Sequence, residues 1–353
     1  MMIEKLNPIF VFSFFKKKEK KKDIHAQDRF FYFFLKALSW SLIFLFFYML
    51  FVIFQMSWPA FSHFGMNFFV NADWNSWTQS FGALSLVYGT VVTSILALLL
   101  AVPVSVGVAL FLSELAPNWL AKPLSFIVEM LAAVPSIVYG LWGLFVLAPL
   151  LRDYIQAFLS KYFHFLPFFQ GPYYGVGMMC GGVILAIMII PTISSVCREV
   201  FRTIPKSNRE AVLGLGATRW EMLKIAVLRG SSTGIIGAVI MGLGRALGET
   251  MAVTMVIGNA PSIKISLFEP AQTMASILAN QYAEADNELH LASLTAVGFT
   301  LFFLSLIINI LAFLLVWKMK RSTTGISSTK RFSSASRGPS LSGLDYTGKE
   351  KKE

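Results

Sequence analysis

The sequence predicts an all-α integral membrane protein with six transmembrane helices, and three observations lead to that fold class. Hydrophobic residues make up 56% of the chain and charged residues only 14%, whereas soluble domains contain about 25% charged residues. The mean hydropathy is +0.64. Six apolar stretches are each long enough to cross about 30 Å of hydrocarbon as a helix. This composition excludes an ordinary soluble globule.

The predicted helices follow one another along the chain, with one long loop before the fifth. The first comes after a basic segment and has no small-residue cleavage pattern, so we predict a retained helix rather than a signal peptide. The last is followed by a stretch rich in Ser, Gly and Lys, which predicts disorder. The six predicted spans are residues 37–57, 88–112, 124–150, 175–197, 233–258 and 293–317.

This pattern divides the chain into four parts. Residues 1–36 are predicted to form a basic cytoplasmic tail, and residues 37–57 the first transmembrane helix. Residues 88–317 form a five-helix core that contains a cytoplasmic loop at 198–232. Residues 318–353 are predicted to form a disordered cytoplasmic tail.

Lys and Arg are distributed unevenly between the two sides of the membrane, and the net charge is +11. The segments predicted to be cytoplasmic hold 26 of the 30 Lys and Arg residues, and the opposite side holds 3. The positive-inside rule therefore places both termini in the cytoplasm. The run KKKEKKK at 16–22 could contact nucleic acid, but such runs beside a membrane commonly face anionic lipid headgroups. We predict contact with membrane lipid and none with nucleic acid.

Some predicted spans contain residues that bend a helix or interrupt its apolar surface. Pro135 and Pro191 lie inside the third and fourth spans, where neighbouring helices can satisfy the carbonyls that proline frees. Glu129 lies only about 8 Å into the third span, which predicts an interfacial position. Cys180 and Cys197, with four scattered His, have no metal-ligand spacing. No metal or other cofactor is predicted.

The fifth predicted span carries an arginine and a glutamate within an apolar run. Arg245 falls near mid-bilayer, where a charge costs roughly 3 kcal/mol or more and normally faces the bundle interior or a water-filled path. Glu249 comes four residues later, on the same face of a continuous helix. One interpretation is a structural ion pair. The other is a site on an anion pathway, because Arg stays charged and offers forked donors to an oxyanion.

Glycines recur along the same span. A residue without a side chain allows helix backbones to approach closely inside a membrane. Gly242, Gly244 and Gly248 therefore predict a face of this helix that packs tightly against its neighbours.

The cytoplasmic loop 198–232 is predicted to hold two short helices. SNRE at 207–210 and TRWE at 218–221 both match the S/T-x-x-E capping box that begins a helix. The helices would meet at a turn around Gly214 and Gly216, and we refer to them as the loop hairpin. An apolar patch on such a unit indicates a partner, although a hairpin lying flat on the membrane is an alternative. The predicted patch consists of Val212, Leu213, Trp220 and Leu223.

The loop hairpin resembles the EAA loop of binding-protein-dependent ABC importer permeases. The residues that match are Glu210 and Ala211, then Val212 in place of a second Ala, with Leu213 next and Gly216 three residues further. Downstream, Ala226 and Arg229 stand where that family has Ile and Pro. The resemblance implies a type I, MetI-like permease core over 88–317. It also implies that the short helix docks in a groove of an ATPase subunit.

Three further segments resemble the permease subunit of the phosphate-specific ABC transporter, the PstC type. They are LAAVPSIVYGLWGLFVLAP at 131–149, IMIIPTISS at 187–195 and GLGRALGETMAVT at 242–254. The resemblance implies that Arg245 and Glu249 take part in phosphate passage. It implies a location in the cell's inner membrane and three kinds of partner: a sister permease of the PstA type, two copies of a PstB-type ATPase, and an external PstS-type phosphate-binding protein.

The chain itself is predicted to be a transporter subunit and not an enzyme. The sequence has no G-x-x-x-x-G-K-[ST] loop, which an ATPase of that class uses to hold phosphates. Two alternatives to a phosphate permease remain open. The cargo could be another oxyanion, such as sulfate or molybdate. Alternatively, the chain could act alone as an anion carrier or channel, which predicts internal repeats that are not visible in the sequence.

Overall fold

The computed structural model describes residues 26–324. The predicted lipid contact of the run at 16–22 and the predicted disorder of residues 325–353 lie outside the described residues. Residues 318–324, also predicted to be disordered, are the end of a helix. Of the described residues, 79% are helical, and two short strands among them pair antiparallel. The elements are α1 Ala26–Phe64, α2 Asn67–Val70, β1 Trp74–Asn75, β2 Ser80–Phe81, α3 Leu84–Leu110, α4 Asn118–Ala133, α5 Ser136–Trp142, α6 Ala148–Leu150, α7 Ala157–Phe163, α8 Met178–Arg202, α9 Lys206–Gly214, α10 Arg219–Met222, α11 Ser232–Gly248, α12 Met251–Val256, α13 Met274–Gln281 and α14 Glu288–Thr324.

Within the described residues, five helical segments are long and apolar enough to cross a membrane. A sixth is obtained if the segment Arg219–Leu228 and α11, which meet at a 70° bend, are counted as one span. The all-α membrane fold that the sequence predicts is confirmed. The five segments are Asp28–Phe64, Leu84–Leu115, Ser136–Phe163, Met178–Arg202 and Glu288–Lys318.

The chain clusters into two units, Met1–Gln55 and Met56–Glu353. In the first unit, the described residues belong to α1, which covers the whole predicted segment 37–57 and extends beyond it at both ends. Its large apolar side chains are exposed, as at Phe44 and Leu42. Such a surface matches lipid as solvent, since a helix that is apolar all round is stable in hydrocarbon.

The third predicted span has the wrong bounds. Residues 124–150 do not form one helix, because α4 ends at Ala133 and α5 begins at Ser136. Pro135 disfavours the helical conformation at Val134, which is extended with ψ 130°. The Tyr139 hydroxyl donates to the carbonyl oxygen of Leu131 at 2.9 Å and satisfies one group at the break. The span therefore starts after the proline and extends to Phe163.

Helix α8 is the centre of the second unit and packs against α3, α4 and α11. Ile189, Ile193 and Cys197 on its core side are fully buried. Gly182 allows close approach to α3, because a Cβ there would lie 2.6 Å from Leu96 Cδ2. The Ser105 hydroxyl on α3 also donates to the carbonyl oxygen of Ile190 at 3.3 Å. This packing holds α8 firmly between the elements that carry the candidate site.

Candidate functional site

The fifth predicted span is broken at Glu249. Helix α11 ends at Gly248, Glu249 is extended with ψ 124°, and α12 starts at Met251. The Glu249 carboxylate accepts the backbone N–H of Ala252 at 3.3 Å, so it bonds a free donor in the first turn of the new helix instead of continuing the old one. The prediction of one helix over 233–258, with Arg245 and Glu249 on a shared face, is therefore wrong.

Arg245 lies in the last turn of α11 and is half-buried. Its Nη1 donates to the Thr192 hydroxyl at 3.3 Å. Within residues 26–324, ion pairs join Arg152 to Asp153, Arg198 to Glu129, Arg209 to Glu114 and Lys264 to Glu269. Arg245 is not among them. The guanidinium thus has a neutral partner and retains donors for an anion.

The partner of Arg245 is a residue that sequence reasoning missed. Thr192 lies in the IMIIPTISS segment, directly after a proline inside α8. Pro191 has no N–H to bond the carbonyl of Ile187. That carbonyl oxygen therefore lacks its usual helical hydrogen bond, about one turn before Thr192. A hydroxyl following a proline in an apolar helix was the signal that could have pointed to Thr192.

The three segments that carry the PstC resemblance meet in the structure. Helix α12 packs against α5 and α8. A Cβ at Gly140 would lie 2.8 Å from Met255 Sδ, and one at Gly143 would lie 2.9 Å from Val256 Cγ1. Helix α8, with Thr192, completes the group. Helix α12, which follows the break at Glu249, is therefore held closely against Gly140 and Gly143 and also packs against α8.

The glycines of α11 do not share one packing face. A Cβ at Gly242 would lie 2.6 Å from Ile193 Cδ1, which marks a close approach to α8. Gly244 and Gly248 meet nothing within 4 Å. The predicted common face is wrong because Gly244 lies about 200° around the helix from Gly242, and Gly248 is the last residue of α11.

The loop hairpin forms two helices, but only one begins as predicted. Thr218 caps α10 in a full capping box with Glu221. Helix α9 instead begins at Lys206 after Pro205, with no side-chain cap. The Ser207 capping box is wrong because Pro205, in an extended conformation, already sets the helix start one residue before the serine. The Thr218 backbone N–H and hydroxyl donate to Glu221 and hold the pKa of that carboxyl below its usual range.

The turn and apolar surface of the loop hairpin follow the prediction in part. Gly216 has φ +82°, a conformation that glycine adopts without strain. Leu213 and Trp220 are exposed and Val212 is half-buried. Leu223 is only 2% exposed, because the chain winds into a π-helical turn at Leu223–Leu228 that directs it to the core. Glu210 and Ala211 are exposed on α9.

A partly buried ion pair that the sequence did not reveal joins the loop hairpin to the helix bundle. Arg209 on α9 donates through Nη2 to Glu114 Oε1 at 2.7 Å and to the carbonyl oxygen of Phe201 at 2.9 Å. The two side chains are 18% and 10% exposed. The helix that resembles the EAA loop is thus fixed to the end of α8 and to the π-helical turn Phe111–Leu115 that follows α3.

The sequence predicted an interfacial position for Glu129 but did not reveal its ion-pair partner. Glu129 on α4 forms an ion pair with Arg198 near the end of α8. Its side chain is half exposed, whereas that of Arg198 is 9% exposed.

Within residues 26–324 there is no group of His, Cys, Asp and Glu that could hold a metal, and both cysteines are free and buried.

Comparisons with known proteins agree with this architecture. Residues 101–321 match the family of binding-protein-dependent transport system inner membrane components. A solved bacterial ABC transporter involved in the import of the acidic polysaccharide alginate is similar in fold, with a TM-score of 0.55 and 20% identity. The match covers 83% of this chain and 96% of that one.

Relatives of higher identity are phosphate transport system permease proteins named PstC. The one from Mesorhizobium japonicum is 47% identical, and the match covers 74% of this chain and 81% of the relative. The one from Pasteurella multocida is 45% identical, with coverage of 75% and 84%. A probable PstC from Methanocaldococcus jannaschii is 36% identical, with coverage of 74% and 84%.

Proposed function

The chain belongs to the binding-protein-dependent transport system inner membrane components, and we propose that it is a phosphate-passing permease subunit of an ABC importer. The single observation that supports phosphate is the 47% identity with a PstC permease over 74% of the chain. Sulfate and molybdate are less well supported, since relatives at 44–47% identity are phosphate permeases by name. The chain is then a multi-pass membrane protein that works with an ATPase and a substrate-binding protein.

Arg245 is the residue proposed to meet the anion in the pathway. Removing water from phosphate in a low-dielectric passage is costly unless charge and hydrogen bonds replace it. A half-buried guanidinium that has only a hydroxyl partner offers both. Glu249 is proposed to act from the helix break, where its carboxylate keeps α12 in place and adds negative charge near the passage.

The loop hairpin is proposed as the contact with the ATPase. Glu210, Ala211 and Leu213 are exposed on α9, and the ion pair of Arg209 with Glu114 links this helix to the bundle. ATP-driven movement of the ATPase would therefore reach α3 and α8 directly. The specific partners are a PstA-type sister permease, two PstB-type ATPases and an external PstS-type binding protein. This chain would not hydrolyse ATP, and the loop hairpin and both termini would be cytoplasmic.

The decisive experiment measures ATP-dependent uptake of radiolabelled phosphate by the complete complex in liposomes. Arg245→Ala should lower uptake on the order of 100-fold, because loss of a desolvated charge contact costs roughly 2–5 kcal/mol. Arg245→Lys should be intermediate, since it keeps the charge but loses the forked geometry. The abundance of the complex should stay near the parent level in both variants.

The matched control is Arg152→Ala, which removes an exposed arginine paired with its neighbour Asp153. It should transport like the parent. Near-parental phosphate uptake by Arg245→Ala would reject the pathway role. Uptake of sulfate in place of phosphate, with the external binding protein selecting sulfate, would contradict the proposal that phosphate is the cargo.

Attachment of the ATPase has its own test. A cysteine introduced at Ala211 or Leu213 should crosslink to the ATPase subunit in the assembled complex. One at Ala283, which is exposed between α13 and α14, should not. Equal crosslinking at 211 and 283 would contradict the assignment of the loop hairpin as the ATPase contact.

A further inference from the structure

A cleft of about 460 Å³ opens between α4 and the end of α8, away from Arg245. This volume falls within the roughly 300–1,000 Å³ of small-ligand sites. Three cationic side chains line it, from Lys122, Arg198 and Arg202, and the one carboxylate among its lining residues is Glu129. The lining therefore has a net charge of plus two, which favours an anion.

The donors of the cleft are incompletely satisfied. Arg198 has a side chain that is 9% exposed, and its Nε is buried without a hydrogen-bond partner. The Ser125 hydroxyl is also buried and unpartnered. A buried donor without a partner costs about 1–3 kcal/mol, so a ligand rich in acceptor oxygens would be stabilised here.

Glu129 accepts a hydrogen bond from only one of the donors in the cleft. Its carboxylate bonds Arg198 through Nη2 and leaves Nε unbonded. The Glu129 side chain is half exposed and therefore free to move into water. A tetrahedral oxyanion could accept from Arg198, Arg202 and Lys122 together, whereas a carboxylate fixed on α4 reaches only one of them in the structure.

We propose that this cleft is a second oxyanion site, which takes a phosphate group in exchange for the Glu129 carboxylate. It is separate from Arg245, because Arg198 lies six residues after Thr192 on α8, roughly 9 Å along the axis and about 120° around it. The phosphate group belongs to inorganic phosphate or to an anionic lipid headgroup, which share the same chemistry. The site lies on the side proposed to be cytoplasmic.

The test uses the complete complex in lipid nanodiscs, with Ala116→Cys as a reporter that lines the cleft without donating to a ligand. The measurement is its rate of modification by a neutral maleimide, read by mass spectrometry of the peptide. Inorganic phosphate should slow the reaction saturably in phosphatidylcholine. Native Cys180 and Cys197 are fully buried and should stay unmodified, and Ala283→Cys should react at a rate independent of phosphate.

Second variants identify the groups that hold the ligand. Arg202→Gln or Lys122→Gln should raise the half-protecting phosphate concentration about tenfold, the effect of one lost hydrogen bond to a charged group. Glu129→Gln should lower that concentration, because the internal competitor loses its charge. Arg245→Gln should leave protection unchanged, which separates this site from the proposed transport pathway.

The two sources of the phosphate group give different results. Protection in phosphatidylglycerol without added phosphate, lost in Arg202→Gln, identifies the lipid headgroup. Protection only by inorganic phosphate identifies the free ion. The proposal is overturned by a reaction rate insensitive to both, by protection that survives Arg202→Gln and Lys122→Gln, or by protection that disappears in Arg245→Gln. A reporter at 116 that never reacts would show that the assembled complex closes the cleft, and this also overturns it.

Discussion

Arg209 and Arg245 are both partly buried but have opposite partners. Arg209 is bonded to a carboxylate and to a backbone carbonyl at the junction of three helices. Arg245 is bonded to one hydroxyl beside a helix break. The first charge is neutralised within the protein, and the second is not. The comparison indicates that Arg209 maintains structure, and it supports the proposal that Arg245 receives a negative charge from outside the chain.

The largest expected effect comes from breaking the ion pair of Arg209 with Glu114. Glu114→Gln leaves the Arg209 guanidinium without its carboxylate, a loss of about 3–5 kcal/mol for a buried pair. We expect low membrane abundance and a lower Tm of the purified complex. The double variant Glu114→Leu with Arg209→Met should recover much of the abundance, since an apolar pair needs no charge compensation. A Glu114→Gln complex as stable as the parent would contradict the structural role of Arg209.

A smaller effect is expected where α11 approaches α8 below Arg245. Gly242→Ala would place a Cβ against Ile193 and should destabilise by about 1–3 kcal/mol through overpacking. Gly244→Ala is the matched control because nothing lies within 4 Å of its Cβ position. It should be neutral or stabilise the helix by up to about 1 kcal/mol. Equal thermal stability of the two variants would contradict the difference between the two faces of α11.

The stability of the helix break beside Arg245 should depend on the acceptor oxygen of Glu249 more than on its negative charge. Glu249→Ala removes the acceptor for the Ala252 N–H and should cost about 1 kcal/mol, as loss of a helix cap does. Glu249→Gln keeps an acceptor oxygen, so the complex should retain its parental Tm. Uptake measured in the Gln variant then reports on the charge alone. A Gln variant as unstable as the Ala variant would show that Glu249 acts as a structural counter-charge.

The smallest effect is expected at the neutral partner of Arg245. Thr192→Val keeps the shape of the side chain and removes the hydroxyl, so the guanidinium loses one hydrogen bond worth about 1 kcal/mol. Phosphate uptake should change severalfold, and Thr192→Ser should behave like the parent. Uptake unaltered in the Val variant would show that Thr192 does not position Arg245.

Much of the outline follows from the sequence alone because membrane insertion imposes simple constraints. A stretch of about 20 apolar residues must become a helix in hydrocarbon, where every backbone group needs a partner within its own segment. The predicted stretches accordingly coincide with helices: 88–112 with α3 and its π-helical extension, 175–197 with α8 and the turn that leads into it, and 293–317 with α14. The capping box at Thr218 was equally predictable, because all its partners lie within four residues.

What the sequence could not decide depends on contacts between distant residues. Arg198 with Glu129 and Arg209 with Glu114 are separated by 69 and 95 positions, and no local pattern indicates which charges will meet. The break at Glu249 was also hidden. The same i, i+4 spacing suits an ion pair on a continuous helix or a carboxylate that caps the next helix.

The sequence by itself determined the class of protein, the apolar helices and the identity of Arg245 as an unusual charge in an apolar run. Only the tertiary structure decided that Arg245 bonds Thr192 instead of Glu249. The physical reason is that packing of α12 against α5 and α8 through Gly140 and Gly143 supports a change of chain direction. The helical propensity of the segment alone does not predict that change.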